Sequence, residues 1–188
     1  MKYLLTFLLV NIFLNATGQT RRQYHIGDSA FCGIVFYIFP DSTSDRQHGL
    51  VCAPEDQSVG IRWYNGKYIT TGATLDKIFD KPNATRIIQK QGGGPYAATI
   101  CASFEDSTDC KGWYLPSRTE LSHMYINLAS KGIGHFATEG YWSSVEAKSS
   151  DSTKPQRKAW IVDFFNGKKF TNDKINKNHV RAVKEFRN

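Results

Sequence analysis

Several signatures of well-known reactive sites are missing from this chain of 188 residues. No two of its four cysteines have the Cys-x-x-Cys spacing that is typical of zinc sites and redox motifs. The glycine-rich stretch at 91–95 lacks the Gly-Lys-Ser/Thr ending of a phosphate-binding loop. The five histidines are dispersed, and none lies in a motif that would orient it beside a Ser or Cys nucleophile. We therefore predict no catalytic residue, no metal and no cofactor.

Positive and negative charges nearly balance over most of the chain, so most of it carries no large net charge. Residues 19–153 carry thirteen Lys or Arg against fourteen Asp or Glu, whereas residues 154–188 carry ten against three. The basic character is therefore a property of the last segment. Such an asymmetry is typical of surfaces that bind polyanions. The alternative is an ordinary solvated face, because the charges are scattered and do not form one block.

The first eighteen residues have the pattern of a secretory signal peptide. Residues 3–14 are almost entirely apolar, and residues 16–18 supply the small side chains of a cleavage site. The apolar run is too short for a comfortable membrane span, although an uncleaved anchor is the alternative. We expect an exported chain (periplasmic, cell-surface or extracellular) without a transmembrane segment after cleavage. A polar lead-in at 19–30 would then precede a single domain at 31–188.

The cysteines all lie after the predicted signal peptide. Their even number in an exported chain favours disulfides, and four cysteines allow three pairings. Cys101 and Cys110 are close in sequence, so we predict that they pair. Cys32 and Cys52 would then pair by elimination.

Strands are predicted at the start of the domain and helices in its middle. Residues 31–40 and 50–54 are rich in β-branched and aromatic residues and predict a hairpin. A short ribbon with an Asn-Gly turn is predicted at 61–72. Apolar spacings of three and four predict short helices. These lie around 75–79, from Asn83 onward, and at 97–104.

The stretch Gly-Trp-Tyr-Leu-Pro-Ser-Arg-Thr-Glu-Leu at 112–121 could be either an active-site corner or a structural motif. Ser117 precedes Glu120 by three residues, which is the capping-box spacing. Leu121 and Met124 then begin one apolar helical face. We therefore predict that this stretch starts a helix.

The last third of the chain is predicted to return to strands. The segment at 140–146 is a strand, and the segment at 157–170 is a hairpin with Asn-Gly at 166–167 as its turn. A closing strand follows at 179–186. Its Arg181 is predicted to be a buried ion-pair partner of Asp163 or Glu146, with a ligand contact as the alternative. Strands, then helices, then strands give an α+β fold.

A set of short motifs occurs in one order along the chain: GIVFYI, YAATICASF, GWYLPSRTELSHMYINL, YWSSVE, AWIVDFFNG and VRAVKEF. This set resembles the C-terminal domain family of collagen-like adhesins, a domain of unknown function, over about residues 30–188. The resemblance implies a C-type-lectin-like fold: antiparallel sheets, two or three flanking helices, and paired N- and C-terminal strands. The strands at 31–39 and 179–186 are the candidates for that pair.

The better-known members of that family are bacterial surface or secreted proteins, some of them implicated in adhesion to sulfated glycans. This chain departs from its relatives in two ways. It has no collagen-like Gly-X-Y stalk, and it lacks the Glu-Pro-Asn or Gln-Pro-Asp and Trp-Asn-Asp tripeptides of calcium-dependent sugar-binding lectins. No calcium site is therefore carried over.

We predict a non-enzymatic binding or adhesion module. Its expected partner is an acidic polysaccharide or a surface protein, and no nucleic acid is expected. The candidate ligand-binding cations are Lys154, Arg157, Lys158, Lys168, Lys169, Lys174 and Lys177. The candidate sugar-stacking rings, for which a core position is the alternative, are Trp63, Tyr64 and Tyr68.

Two other functions stay open at this point. One is an enzyme of the formylglycine-generating type or an unknown hydrolase, with Cys101 and Cys110 as a reactive pair. The other is a structural subunit of a surface assembly.

Overall fold

The computed structural model describes residues 22–104, 110–151 and 153–188. The predicted signal peptide at 1–18 lies outside these ranges. Within them, no helix has both the length and the apolar composition needed to cross a membrane. The elements are β1 Ser29–Ala30, β2 Gly33–Ile38, β3 His48–Cys52, β4 Ser58–Ile61, α1 Lys81–Gln91, α2 Ala97–Ala102, α3 Arg118–Asn127, a 3-10 turn Ala129–Lys131, β5 Gly140–Glu146, β6 Lys158–Asp163, β7 Lys169–Asp173, β8 Asn178–Val180 and β9 Val183–Arg187.

Two sheets form the fold, which confirms the predicted α+β class. One sheet has the order β1-β2-β3-β9 and the other has the order β4-β8-β5-β6-β7. All strand pairs are antiparallel except β5 with β8, which run parallel where Tyr141 meets His179. Because β1 begins at Ser29, part of the segment predicted as a polar lead-in belongs to the first sheet.

Both predicted hairpins are confirmed. Strand β2 pairs with β3 in antiparallel register, and β6 pairs with β7. The second hairpin turns at Asn166-Gly167, where Gly167 has a φ of +72° and its N–H donates to the carbonyl of Asp163 over 2.7 Å. A residue without a Cβ adopts this left-handed conformation at little cost, which is why Asn-Gly is a strong hairpin signal.

The predicted closing strand at 179–186 is in fact two strands. Strand β8 joins the five-stranded sheet and β9 joins the four-stranded sheet, with only residues 181–182 between them. Strand β9 pairs with β3, where Cys52 lies opposite Val183. The predicted direct pairing of the N- and C-terminal strands is therefore wrong, because β3 lies between β2 and β9. Three consecutive residues of β3, at 50–52, are fully buried, so this strand takes the central position.

The predicted ribbon at 61–72 and the helical turn at 75–79 are also wrong. Beyond β4, residues 62–80 form no regular helix or strand. The side-chain amide of Asn65 donates to the carbonyl of Gln91 at the end of α1. The Asn-Gly pair is thus docked against a helix instead of turning a hairpin. Trp63 anchors the same segment, since its indole N–H donates to the carbonyl of Ser143 over 2.8 Å.

The capping box at the start of α3 is confirmed. The N–H of Glu120 donates to the Ser117 hydroxyl oxygen over 3.0 Å, and the N–H of Ser117 donates to the Glu120 carboxylate over 2.6 Å. The same carboxylate accepts from the Tyr114 hydroxyl over 2.8 Å and from the Phe79 N–H over 2.8 Å. Ser117 also donates to the carbonyl of Lys77 over 2.8 Å. This motif therefore starts a helix and fixes the irregular segment before α1.

The structure contains a disulfide between Cys32 and Cys110, whose Cα atoms are 6.0 Å apart. Both predicted pairings, Cys101 with Cys110 and Cys32 with Cys52, are therefore wrong. Cys101 lies on the buried face of α2 and Cys52 lies at the buried end of β3, and both are free thiols. Nearness in sequence did not bring Cys101 to Cys110, because the helix turns its thiol into the core.

Candidate anion-binding groove

The structure divides the ten basic residues of segment 154–188 into two groups. Three of them, Lys174, Arg181 and Lys184, are buried. The remaining seven are exposed: Lys154, Arg157, Lys158, Lys168, Lys169, Lys177 and Arg187. Net charge alone therefore overstates how many cations this segment offers to a ligand.

Lys174 is a core residue and not a surface charge, so its prediction as a ligand-binding cation is wrong. Its ammonium donates to a carboxylate oxygen of Glu146 over 2.5 Å, and both side chains are almost fully buried. The ammonium lies 4.4 Å from the ring centroid of Trp63. The other Glu146 oxygen accepts from the N–H groups of Thr71 and Gly72 over 3.0 and 2.9 Å. Burial lowers the pKa of Lys174.

The aromatic candidates also lie inside the protein. Trp63 and Tyr64 are 0% and 3% exposed, so neither ring can stack on a sugar, and the core alternative holds for both. Tyr68 is half-buried, and its hydroxyl donates to Asp173 over 2.5 Å. One face of the Tyr68 ring is covered by the Arg157 guanidinium, whose carbon lies 4.1 Å from the ring centroid. A sugar could stack there only after displacing Arg157.

Arg181 is buried, as expected, but its predicted partners are wrong. Its Nε donates to Asp56 over 2.5 Å, and neither Asp163 nor Glu146 contacts it within the described parts of the chain. Its Nη1 donates to the carbonyls of Ala53, Pro54 and Gly134. With its donors used in this way and its side chain fully buried, Arg181 ties three chain segments together.

The exposed cations do not form one surface. A groove of about 410 Å³, here called the basic groove, is lined by Lys148, Lys154, Arg157 and Lys158. Neutral hydrogen-bonding side chains, including Gln156 and Thr171, also line it. The basic groove therefore collects three of the predicted cations and adds Lys148, which the sequence analysis missed. Lys148 lies six residues before Lys154, where the basic segment defined from the sequence begins.

The loop between β5 and β6 builds the basic groove, and its ends are fixed by the sheet. The N–H of Ala147 donates to the carbonyl of Lys158 over 2.9 Å, which closes the loop at its base. The N–H of Gln156 donates to the hydroxyl of Thr70 over 3.0 Å. Lys158 begins β6 and lies opposite Asp173 of β7. The cations at the two ends of the loop are thus held near one another.

The carboxylates near the basic groove only partly neutralise it. Lys154 pairs with Asp151 over 3.1 Å, and Arg157 pairs with Asp173 over 3.3 Å. Both pairs reach solvent, so each contributes only about 0–1 kcal/mol and an incoming anion can displace it. Lys148 and Lys158 form no ion pair with any residue that the structure describes. The basic groove is therefore a cationic site in which two ammonium groups have no ion pair among the described residues.

Lys168, Lys169 and Lys177 do not line the basic groove. Lys169 lies opposite Val162, whereas Lys158 lies opposite Asp173. The four residue steps from Lys169 to Asp173 span about 13 Å along β7. Lys177 directly precedes β8. These three lysines therefore belong to other parts of the surface.

The cysteine pair that an enzyme of the formylglycine-generating type would use is not brought together. Cys110 is bonded to Cys32, while Cys101 is a buried free thiol. Burial raises the pKa of the Cys101 thiol well above its usual value. A thiol in such surroundings is inert toward oxidation and nucleophilic attack at neutral pH.

No protein-family model matches this chain, and a search of curated proteins gives no match either.

Proposed function

We propose that the protein is an exported, non-enzymatic module that binds acidic or sulfated glycans in the basic groove. The observation that carries this proposal is the convergence of Lys148, Lys154, Arg157 and Lys158 on one groove of about 410 Å³. Small-ligand sites have volumes of about 300–1,000 Å³, so a sugar unit with its acidic substituent fits.

The chemistry of the lining side chains favours sulfate and carboxylate groups. The Arg157 guanidinium uses Nη2 to contact Asp173 and Tyr68. The planar fork of arginine matches oxyanions in bidentate geometry, whereas lysines act as mobile point charges. Neutral donors and acceptors such as Gln156 and Thr171 suit the hydroxyl groups of a sugar.

Two further features support the proposal. A disulfide between Cys32 and Cys110 is typical of a chain that folds in an oxidising compartment, as an exported protein does. The motif set that resembles the collagen-like adhesin C-terminal domain family points to adhesion and to a C-type-lectin-like fold. We include that fold and that family in the proposal.

A pair of matched triple variants tests the proposal. One variant carries Lys148→Gln, Arg157→Gln and Lys158→Gln in the basic groove, and the control carries the same change at Lys168, Lys169 and Lys177. Both lose three positive charges, so any effect of net charge is equal. Binding to heparin should weaken about tenfold or more in the groove variant and much less in the control. Raising the salt concentration should weaken the wild-type binding through ionic screening.

Each alternative outcome contradicts the proposal in a distinct way. Equal weakening in the two variants would mean that heparin binds through overall charge and not in the basic groove. No binding of the wild-type protein at low salt would remove acidic glycans as the ligand class. Equal affinity for an uncharged polysaccharide would mean that the cations do not select the ligand.

A further inference from the structure

Lys184, in β9, is a buried lysine whose ammonium has no ion-pair partner among the residues that the structure describes. Its side chain is 8% exposed, yet it makes no hydrogen bond or ion pair with the residues that the structure describes. Its ammonium lies 5.0 Å from the ring centroid of Trp113. Burial lowers the pKa of Lys184. Buried lysines are normally paired, as Lys174 is with Glu146, whereas Lys184 lines a cavity without a carboxylate partner among the described residues.

A second cavity, of about 200 Å³, opens beside Lys184. Lys81 and Lys111 also line it, together with Gly112 and Tyr114. Three lysines from distant parts of the sequence thus line one small cavity. It shares no lining residue with the basic groove.

The fold explains why these three lysines meet. Tyr114 and Val183 exchange backbone hydrogen bonds of 2.9 and 3.0 Å, which holds the segment after Cys110 beside β9. Lys81 is the first residue of α1, and its ammonium lies 3.9 Å from the position that a Cβ on Gly112 would occupy. This is an ordinary van der Waals distance, so the Lys81 ammonium lies directly beside the backbone of Gly112.

Among the described residues, two carboxylates lie near the cavity or next to one of its lysines. Glu185 lines the cavity, but it pairs with Arg187 over 2.7 Å. Asp80, next to Lys81, accepts from the Asn83 amide through one oxygen over 2.9 Å, while its other oxygen has no hydrogen-bond partner among the described residues. Lys81 and Lys111 have no ion pair within ranges 22–104, 110–151 and 153–188. The amino-terminal end of α1 adds a partial positive charge at Lys81.

We propose that this second cavity, lined by Lys81, Lys111 and Lys184, binds a single tetrahedral oxyanion, a phosphate or sulfate group. Three cations match the two negative charges of such a group, and lysine is a common phosphate ligand. A cavity of about 200 Å³ is smaller than the roughly 300–1,000 Å³ of typical organic-ligand sites, so it suits one anionic group more than a sugar ring. This site goes beyond the glycan-binding function proposed above and does not depend on it.

Acetylation footprinting by mass spectrometry tests the site directly. Inorganic phosphate and inorganic sulfate are each added to the folded protein, with acetate as the singly charged control. We expect phosphate or sulfate to slow acetylation of Lys81, Lys111 and Lys184 together and to leave Lys90 unchanged. Lys90 is exposed at the far end of α1 and serves as the internal control.

Variants then identify the ligands of the anion by calorimetry with phosphate. Lys184→Met removes the ammonium but keeps an unbranched apolar side chain, and it should weaken binding about tenfold, or about 1.4 kcal/mol. Should Lys184→Met fail to fold, Lys111→Gln at an exposed position gives the same test. Lys90→Gln should bind as the wild type does.

Three results would overturn the proposal. The first is an absence of protection of the three lysines by both phosphate and sulfate. The second is equal protection by acetate or equal protection of Lys90, since either would indicate unspecific charge screening. The third is a loss of phosphate binding in the basic-groove triple variant, which would place the anion in the groove instead. A phosphate-only or sulfate-only result supports the site and tells the two sources apart.

Discussion

Replacing Lys174 with methionine separates a core role for this lysine from a binding role. Methionine keeps the length of the stem beside Trp63 but removes the ammonium that pairs with Glu146 over 2.5 Å. The Glu146 carboxylate would then remain buried, with only the N–H groups of Thr71 and Gly72 as donors. An uncompensated buried charge of this kind costs about 3–5 kcal/mol.

Because two N–H donors to Glu146 remain, we expect a loss of stability near the lower end of this range. A loss of about 3 kcal/mol from a total of roughly 5–15 kcal/mol leaves most molecules folded. For a domain of this size, it lowers Tm by roughly 6–12 °C. Adding Glu146→Gln should restore part of the loss, because the amide oxygen still accepts from Thr71 or Gly72 and no charge is buried.

Urea unfolding and calorimetry of the single and double variants measure these effects. Lys169→Met, at an exposed position of β7, is the control and should change stability by less than about 0.5 kcal/mol. A loss in Lys174→Met as small as in this control would refute the argument. So would a double variant that is less stable than the single one. Heparin binding, measured below the unfolding temperature, should be unchanged in Lys174→Met.

Three further outcomes are expected. Iodoacetamide should label no cysteine in the folded protein, because the thiols of Cys52 and Cys101 are buried and burial raises the pKa of Cys52 to about 12. After unfolding without reductant, it should label Cys52 and Cys101. Labelling of Cys110 would contradict this prediction. Ser117→Ala should cost about 1–2 kcal/mol in urea unfolding, since the α3 cap is lost. Burial, together with the smaller effect of the nearby Glu120 charge, raises the pKa of Asp80 from 3.8 to about 7. The folded state therefore binds a proton that the unfolded chain has lost, and stability should fall as pH rises between these values. Asp80→Asn should gain about 1–2 kcal/mol at pH 8 and less at pH 5; equal gains at both pH values would contradict the shift.

The features that the sequence predicted correctly are encoded in neighbouring residues. The capping box of Ser117 and Glu120 spans three residues, and the β6–β7 hairpin is specified by the Asn166-Gly167 turn between two apolar runs. In both cases the interacting groups are adjacent in the chain, so their pattern is sufficient. The helical period of Leu121 and Met124 is local in the same sense.

The incorrect predictions concern partners that are far apart in sequence. Cys32 and Cys110 are 78 positions apart, and Arg181 and Asp56 are 125 apart. Lys174 looks like any exposed lysine until the burial of Glu146 beside it is known. Sequence spacing says nothing about which distant segments become neighbours in the fold.

The two candidate sites show the same contrast. In the basic groove, Lys154, Arg157 and Lys158 lie within five consecutive residues, at the end of one loop and the start of β6, so a charge count found them. The second cavity takes Lys81 from a helix, and Lys111 and Lys184 from two other segments. Local charge density is unremarkable at each of these positions, so only the assembled fold reveals their convergence.

Strands β8 and β9 have a consequence for how the protein folds and unfolds. The two strands belong to different sheets, yet only residues 181–182 separate them. Neither sheet has all its strands until residues 178–187 are available, so a nascent chain that stops short of them leaves strand edges of both sheets unpaired. These contacts are also distant in sequence, which slows folding. Because a two-residue link has almost no slack, detaching β9 from one sheet pulls β8 from the other. The two sheets should therefore melt in one cooperative transition.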